Sequence, residues 1–307
     1  MQDIILSHKS ALVANRQIRI NPSEVEILHY VNQLLLTSKK CKTSPIEILV
    51  KSKTKVHQSW KFKYRVCSTS LPKNSIKQLS ENIHYVCPEL LLVQFSSILP
   101  YEHLALIALE FCGTYSIDPQ THNFEKDLTP ATTPKMIENY IKCYEKHNPN
   151  FRGKSKLKDV VEFIKPNSAS PMESRLFIKL CGKRKKGFYG CCDLEMNQPV
   201  KLSDDASKIA GQKIVTPDIL NEKLKVAIEY NSAQHHESSD QRQKDARRRD
   251  ALVHDGWKVF SITPQQYYNE NTFHVLAIQI LKTLGQNYRF KLSNFSKLRH
   301  DAWKLLD

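Results

Sequence analysis

The segment TPDILNEKLKVAIEYNSAQHHESSDQRQKDARRRDALVHDGWKVFSIT, residues 216–263, decides the fold. Its first part holds two short apolar runs, Pro217–Leu220 and Val226–Tyr230, separated by a polar turn at residues 221–223. Short runs rich in branched residues and bounded by turn formers are typical of paired antiparallel strands. The segment therefore begins with a predicted β-hairpin.

The remainder of this segment predicts a helix and a third strand. Residues 240–254 are helix formers without Gly or Pro, with a thin apolar stripe at Ala246, Leu252 and Val253, and Gly256 is suited to a left-handed cap. Residues 257–262 then form a strand-like run led by a tryptophan. The order strand, strand, helix, strand, followed by more helix, predicts an α/β module: a mixed sheet flanked by helices.

Two acidic residues belong to the predicted hairpin. Asp218 opens its first strand and Glu229 lies near the end of its second. A short hairpin brings both to one end of a sheet, where two carboxylates repel each other unless a cation neutralises them. Glu229 is also flanked by apolar residues on both strand faces, so its ionised form needs a partner. The pair predicts a site for a hard divalent ion, Mg²⁺ or Mn²⁺.

The segment resembles the nuclease module of very-short-patch-repair-endonuclease-like proteins, within the restriction-endonuclease-like PD-(D/E)xK superfamily. Members carry an Asp on one strand, then Glu-x-Asp-Gly/Ser-x-x-His, then a helix with Asp-x-x-Arg-x-x-x-Leu-x-x-x-Gly and an aromatic-led strand. The matching residues here are Asp218, Glu229, Asn231, Ser232, His235, Asp245, Arg248, Leu252, Gly256 and Trp257. Upstream, Ser170-Pro171-Met172-Glu173 fits the family's Ser/Pro-x-Glu at a helix start. The resemblance covers residues 168–285.

The resemblance implies a metal-dependent nuclease that hydrolyses phosphodiester bonds, with DNA as the expected substrate. It makes Asp218 and Glu229 the metal ligands, His235 the general base or the group that positions the attacking water, and Glu173 an outer-shell partner of a metal-bound water. Asn231 completes the candidate catalytic set, but it stands where the family has a second acid or a lysine and brings no charge. The alternative is therefore a catalytically weak or inactive nuclease-fold DNA-binding regulator of the antitoxin type.

The charge of the chain favours a polyanionic partner. Its 46 Lys and Arg residues outnumber 31 Asp and Glu, which gives a net charge of +15 and a pI near 9.4. Candidate contacts to nucleic acid are Lys183, Arg184, Lys185, Lys186, Arg247 and Arg249. For the four adjacent cations at 183–186, an exposed basic turn without a ligand is an equally good explanation.

Other classes of function lack their signatures. There is no Gly-rich phosphate loop, and none of the eight cysteines forms a C-x-x-C pair, so a dinucleotide site and structural zinc are not expected. The start MQDIILSHK lacks the apolar core of a signal peptide, and no window of about 18 apolar residues exists. We expect a cytoplasmic protein with no membrane span. The sequence leaves open whether it acts as a dimer or with a partner protein.

The upstream part predicts a smaller α+β domain of unassigned role over residues 1–147. Predicted strands are 46–50 and 60–66, and predicted helices are 21–36, 88–99, 101–111 and 135–147. His8, His57 and Glu110 form a weak candidate site there, for which structural roles are the more common explanation.

The domain plan continues in three further parts. A linker and connecting helix are predicted over residues 148–167, the endonuclease-like domain over 168–285, and a basic tail over 286–307 that docks on the core or on nucleic acid. Residues 118–134, 193–200 and 203–213 are predicted loops.

Overall fold

The computed structural model describes residues 3–21, 23, 45–52, 56, 61–231, 239–287, 289 and 294–307. The predicted helix at 21–36 falls mostly outside these residues, as do His57, Ser232, His235 and His236. The chain divides into two compact units, Met1–Ile164 and Lys165–Asp307, and each combines helices with β-sheet. Within the described residues, no helix has the length and apolarity required to cross a membrane.

The first unit is built on a five-stranded mixed sheet. Its elements are β1 (Ile4–Leu6), α1 (His8–Ile20), β2 (Ile46–Val50), β3 (Phe62–Val66), β4 (Ile76–Ser80), β5 (Ile83–Val86), α2 (Pro88–Ser96), α3 (Tyr101–Cys112), β6 (Ser116–Ile117), β7 (Phe124–Glu125), α4 (Pro134–His147) and α5 (Lys154–Val161). The strand order is β3-β2-β1-β5-β4, with β1 parallel to β5 and antiparallel to β2. The strand β4 therefore lies at one edge.

The two apolar helices predicted around Pro100 form the core of the first unit. Both α2 and α3 are buried along most of their length, and Gly113 follows the end of α3 as predicted. The strand β4 was not predicted, and residues 118–134 include β7, which pairs with β6, rather than a loop throughout. Within the predicted linker, α5 packs against α3 inside this unit.

The second unit contains the segment that decides the fold. Its elements are α6 (Pro171–Cys181), β8 (Glu195–Met196), β9 (Val200–Lys201), α7 (Asp204–Ala210), β10 (Ile214–Val215), β11 (Ile219–Asn221), β12 (Val226–Tyr230), α8 (Ser239–His254), β13 (Lys258–Ile262), α9 (Pro264–Tyr268), α10 (Glu270–Thr283) and α11 (Phe295–Leu306). The main sheet has the order β13-β12-β11-β8, and β9 pairs with β10 separately.

The predicted hairpin and third strand are confirmed. The strands β11 and β12 pair antiparallel with Ile219 opposite Ile228, and β13 lies parallel to β12. The helix α8 lies between β12 and β13 in the chain and ends at His254, and Gly256 just beyond it has the expected left-handed conformation, with φ of +82°. Leu252 is buried against the sheet as predicted, but Val253 is 55% exposed, because helical periodicity turns it away from the core.

Two predicted loops contain regular structure. The helix α7 occupies part of residues 203–213, where the hydroxyl of Ser203 caps it and Gly211 follows it at φ +70°. Only Ala206 of this helix is buried, so the apolar periodicity that would have revealed it is missing. Residues 193–200 include β8, which pairs with β11.

The helix α11, in the predicted basic tail, packs on the core of the second unit. It places Trp303 edge-on to Phe273, with ring centroids 5.2 Å apart. Beneath it, Lys179 of α6 is completely buried, with its Nζ 3.0 Å from Asp307 Oδ2 and 3.7 Å from the Trp303 ring centre. Burial lowers the pKa of Lys179 to about 8, and Asp307 opposes that shift.

Candidate active site

The hairpin places the two predicted metal ligands together. Asp218 directly precedes Ile219 and Glu229 directly follows Ile228, and Ile219 pairs with Ile228, so the two acids lie at the same end of the hairpin. The backbone N–H of Tyr230 donates to Asp218 Oδ2 at 2.8 Å, which fixes the orientation of that carboxyl group.

Both carboxyl groups lie where their charged forms are disfavoured. Burial, together with the charges of Glu173 and Glu229, raises the pKa of Asp218 to about 7, although the Tyr230 N–H and Arg248 oppose the shift. Burial also raises the pKa of Glu229, against the influence of Arg248. The fold therefore holds two partly buried acids that a cation would stabilise in ionised form.

The face that carries these acids is covered by α8. Arg248 of that helix donates to the carbonyl of Thr216 at 3.2 Å and lies 3.5 Å from Asp245 Oδ1. Arg248 thus pairs with Asp245, and its positive charge also lowers the pKa of both Asp218 and Glu229. Arg248 braces this end of the sheet while reducing the repulsion between the acids.

Glu173 reaches the site from the start of α6. Ser170 caps that helix by accepting from the Glu173 N–H at 3.2 Å, as the Ser-Pro-x-Glu pattern predicts. The Glu173 carboxylate accepts from the N–H of Ala169 at 2.9 Å and from Asn197 Nδ2 at 2.6 Å. Glu173 is consequently held in one orientation, close enough to raise the pKa of Asp218.

Asn197 is the site residue that sequence reasoning missed. Its backbone N–H donates to the Asp218 carbonyl at 3.0 Å, and its side-chain amide donates to Glu173 and to the Asn167 carbonyl. It adopts a left-handed conformation, φ +48°, which Asn tolerates better than most residues. The signal was a turn-forming Asn-Gln-Pro run at 197–199, which indicates a turn but not its link to Asp218.

Of the other two predicted catalytic residues, the structure describes Asn231 but not His235. Asn231 is exposed, and its backbone N–H donates to the Ile262 carbonyl at 2.9 Å, which extends the pairing of β12 with β13. His235 lies outside the described residues. Among the residues that are described, no three His, Cys, Asp or Glu side chains are arranged to hold a metal ion. Asp218 and Glu229 could supply two ligands, the number Mg²⁺ commonly takes from protein while keeping several waters.

The residues predicted to contact phosphate differ in whether their side chains are exposed or already hydrogen-bonded within the protein. Arg247 and Arg249 are exposed on α8, with Arg249 Nε 3.7 Å from Asp250. Residues Arg184–Lys186 form a short 3-10 helix, in which the Arg184 guanidinium donates to the carbonyls of Tyr189 and Asn287. Arg184 is thereby engaged within its own unit, and Lys185 is the most exposed of the four cations at 183–186.

In the first unit, His8 and Glu110 have separate partners. His8 Nδ1 lies 2.7 Å from Ser7 Oγ, whereas Glu110 accepts from both Nε and Nη2 of Arg16, at 2.8 and 2.6 Å. Ser116 and the N–H of Ile117 also donate to Glu110. The carboxylate is saturated by structural contacts, so these two residues do not form a shared site.

Comparison with family models, with characterised proteins and with solved structures found no match to this chain. The functional interpretation therefore depends on the residues and geometry described above.

Proposed function

We propose that the second unit is a metal-dependent nuclease of the restriction-endonuclease-like PD-(D/E)xK type that hydrolyses phosphodiester bonds in DNA. The observation that carries the proposal is that Asp218 and Glu229 lie at the same end of the hairpin, where the pKa of each is raised and the charge of Glu229 contributes to the shift of Asp218. An acid that only stabilises the fold normally has its pKa lowered by its partners. In functional sites, acids often have a raised pKa, because their surroundings disfavour the charged form. A bound Mg²⁺ or Mn²⁺ ion would offset the free-energy cost of ionising these two partly buried acids.

The residues of this chain divide the work as follows. Asp218 and Glu229 would hold the cation, and the Tyr230 N–H keeps Asp218 in position. Glu173, oriented by Asn197, would accept a hydrogen bond from a water beside the cation. When bound, the cation would neutralise charge on the scissile phosphate and lower the pKa of the attacking water. His235 is proposed to assist that attack.

The test is cleavage of supercoiled plasmid DNA in the presence of Mg²⁺ or Mn²⁺. We expect nicking by the native chain, loss of at least about a hundredfold in Asp218→Ala and Glu229→Ala, and no change in Glu222→Gln. Glu222 is an exposed acid in the turn of the same hairpin, so it controls for the loss of one negative charge nearby. Equal nicking by all four proteins would show contamination and exclude the proposal.

A second candidate function is a DNA-binding regulator of the antitoxin type with a weak or inactive nuclease fold. The observation that favours it is Asn231, an exposed uncharged residue at the position of the family's second acid or lysine. DNA binding by the native chain without nicking in either metal would support this function over the first.

A further inference from the structure

The first unit has a groove of about 990 Å³ between the edge strand β4 and the helix α4. Three lysines line it: Lys73 and Lys77 from the β4 side and Lys146 from α4. Tyr140 and Asn139 of α4 also line it, together with the carboxylate of Glu89. The groove thus combines cations, an aromatic ring and hydrogen-bonding groups in one concave surface.

The lysines of the groove differ from the other lysines on and near α4. Lys135 and Lys142 pair with Glu138 at 3.3 and 2.7 Å, and Lys158 pairs with Glu145 at 2.7 Å. Lys73, Lys77 and Lys146 make no ion pair with any residue that the structure describes. The groove therefore carries three lysines that no described acid neutralises in an ion pair, which favours an anionic occupant.

The aromatic ring and the acid of the groove are held in place. The Tyr140 hydroxyl lies 2.6 Å from Ser75 Oγ, and its ring stacks on Tyr144 with centroids 6.3 Å apart and planes 20° apart. Glu89 is 7% exposed and accepts a hydrogen bond from the Thr132 hydroxyl. These contacts leave the positions of the ring and the carboxylate fixed before any ligand arrives.

We infer that this groove binds a segment of single-stranded nucleic acid, with phosphates against the three lysines and a base against Tyr140. Single-strand sites combine a positively charged groove with aromatic side chains on which bases stack. The bases of a duplex are stacked inside it and cannot reach a side chain within a groove of this size. An acidic peptide would use the lysines but not the ring. The inference concerns the first unit and does not depend on the nuclease activity proposed for the second.

The test is fluorescence anisotropy with a labelled oligothymidylate of about a dozen nucleotides. The protein is the full chain carrying Asp218→Ala and Glu229→Ala, without divalent metal and at low salt, so that cleavage plays no part. One variant adds Lys73→Ala, Lys77→Ala and Lys146→Ala. Its matched control adds Lys135→Ala, Lys142→Ala and Lys158→Ala, which removes the same charge from lysines that are already paired.

We expect the groove variant to bind about tenfold more weakly and the control variant within about twofold of the parent. Tyr140→Phe should keep the affinity and Tyr140→Leu should lower it about fivefold or more, because only the second removes the ring. Thermal melting checks that each variant folds; if Tyr140→Leu does not, the two lysine variants decide. Equal weakening by both lysine variants would overturn the inference, and so would an equal loss, in the groove variant, of affinity for a duplex or for an acidic peptide of the same charge.

Discussion

At the residue scale, Asp218 is an acid whose ionised form costs the fold stability. Its folded pKa of about 7 lies above the ordinary aspartate value of 3.8, so the folded state binds more protons than the unfolded state between these values. The contribution of Asp218 to stability is therefore lost as the pH rises through this window. Above pH 7 the fold carries the full cost of a charged, partly buried carboxylate.

We therefore expect Asp218→Asn to stabilise the metal-free protein by about 2 kcal/mol at pH 8, and the gain to disappear near pH 4. The measurement is urea or thermal unfolding with a chelator present. Asp255→Asn is the control of opposite sign, since hydrogen bonds from Ser203 lower the pKa of Asp255 and its charge stabilises the fold at pH 8. A loss of stability in Asp218→Asn at pH 8 would contradict the account of the site.

Asn197 allows backbone and side-chain effects to be separated. Asn197→Gly keeps a residue that adopts φ +48° freely but removes the amide that holds Glu173, whereas Asn197→Ala also introduces backbone strain. Cleavage should fall to a similar extent in both, about tenfold, with a loss in kcat rather than KM. The alanine variant should in addition be about 1 kcal/mol less stable than the glycine variant. Native cleavage by both would remove Asn197 from the site.

At the element scale, the sequence predicted the helices and strands whose own residues show a clear apolar or helix-forming pattern. The hairpin and β13 have apolar runs of the right length, α8 consists of helix formers followed by Gly256, and α2 and α3 are apolar on most sides. The strand β4 was missed because its sequence IKQLS buries only Leu79. The burial of Lys179 was also not predicted, since its aromatic neighbours and Asp307 come from distant parts of the chain.

The close packing of α11 on the basic 3-10 helix requires a glycine at position 187. Gly187 has φ +88°, and a Cβ atom there would lie 2.4 Å from the Leu298 carbonyl oxygen. Gly187→Ala should therefore destabilise the second unit by more than about 3 kcal/mol. Gly211→Ala is the matched control, because it has φ +70° but open space around the added methyl group, so it should cost only about 1 kcal/mol. Equal losses in unfolding experiments would mean that α11 does not pack closely there.

At the scale of the whole molecule, composition predicted a class of partner but not its location. The sequence predicted Asp218, Glu229 and Glu173 as a group from a resemblance; in the structure the charges of Glu173 and Glu229 raise the pKa of Asp218, and Asn197 donates to Glu173. It could not show that Arg184 is engaged by carbonyls of its own unit, since residues 189 and 287 come together only on folding. Nor could it distinguish paired from unpaired lysines around α4.

The net charge of +15 leads to the last prediction, which concerns the salt dependence of DNA binding. Each phosphate contact releases counterions, so the plot of log affinity against log salt should be steep, with a slope reduced by about 0.9 for each contact removed. Arg247→Ala with Arg249→Ala should lower the slope by nearly 2, because both side chains are exposed on the helix that covers Asp218 and Glu229. The control is Lys201→Ala with Lys213→Ala, which also removes two positive charges from exposed side chains. If both pairs change the slope equally, net charge alone attracts the DNA and α8 does not guide it to the acids.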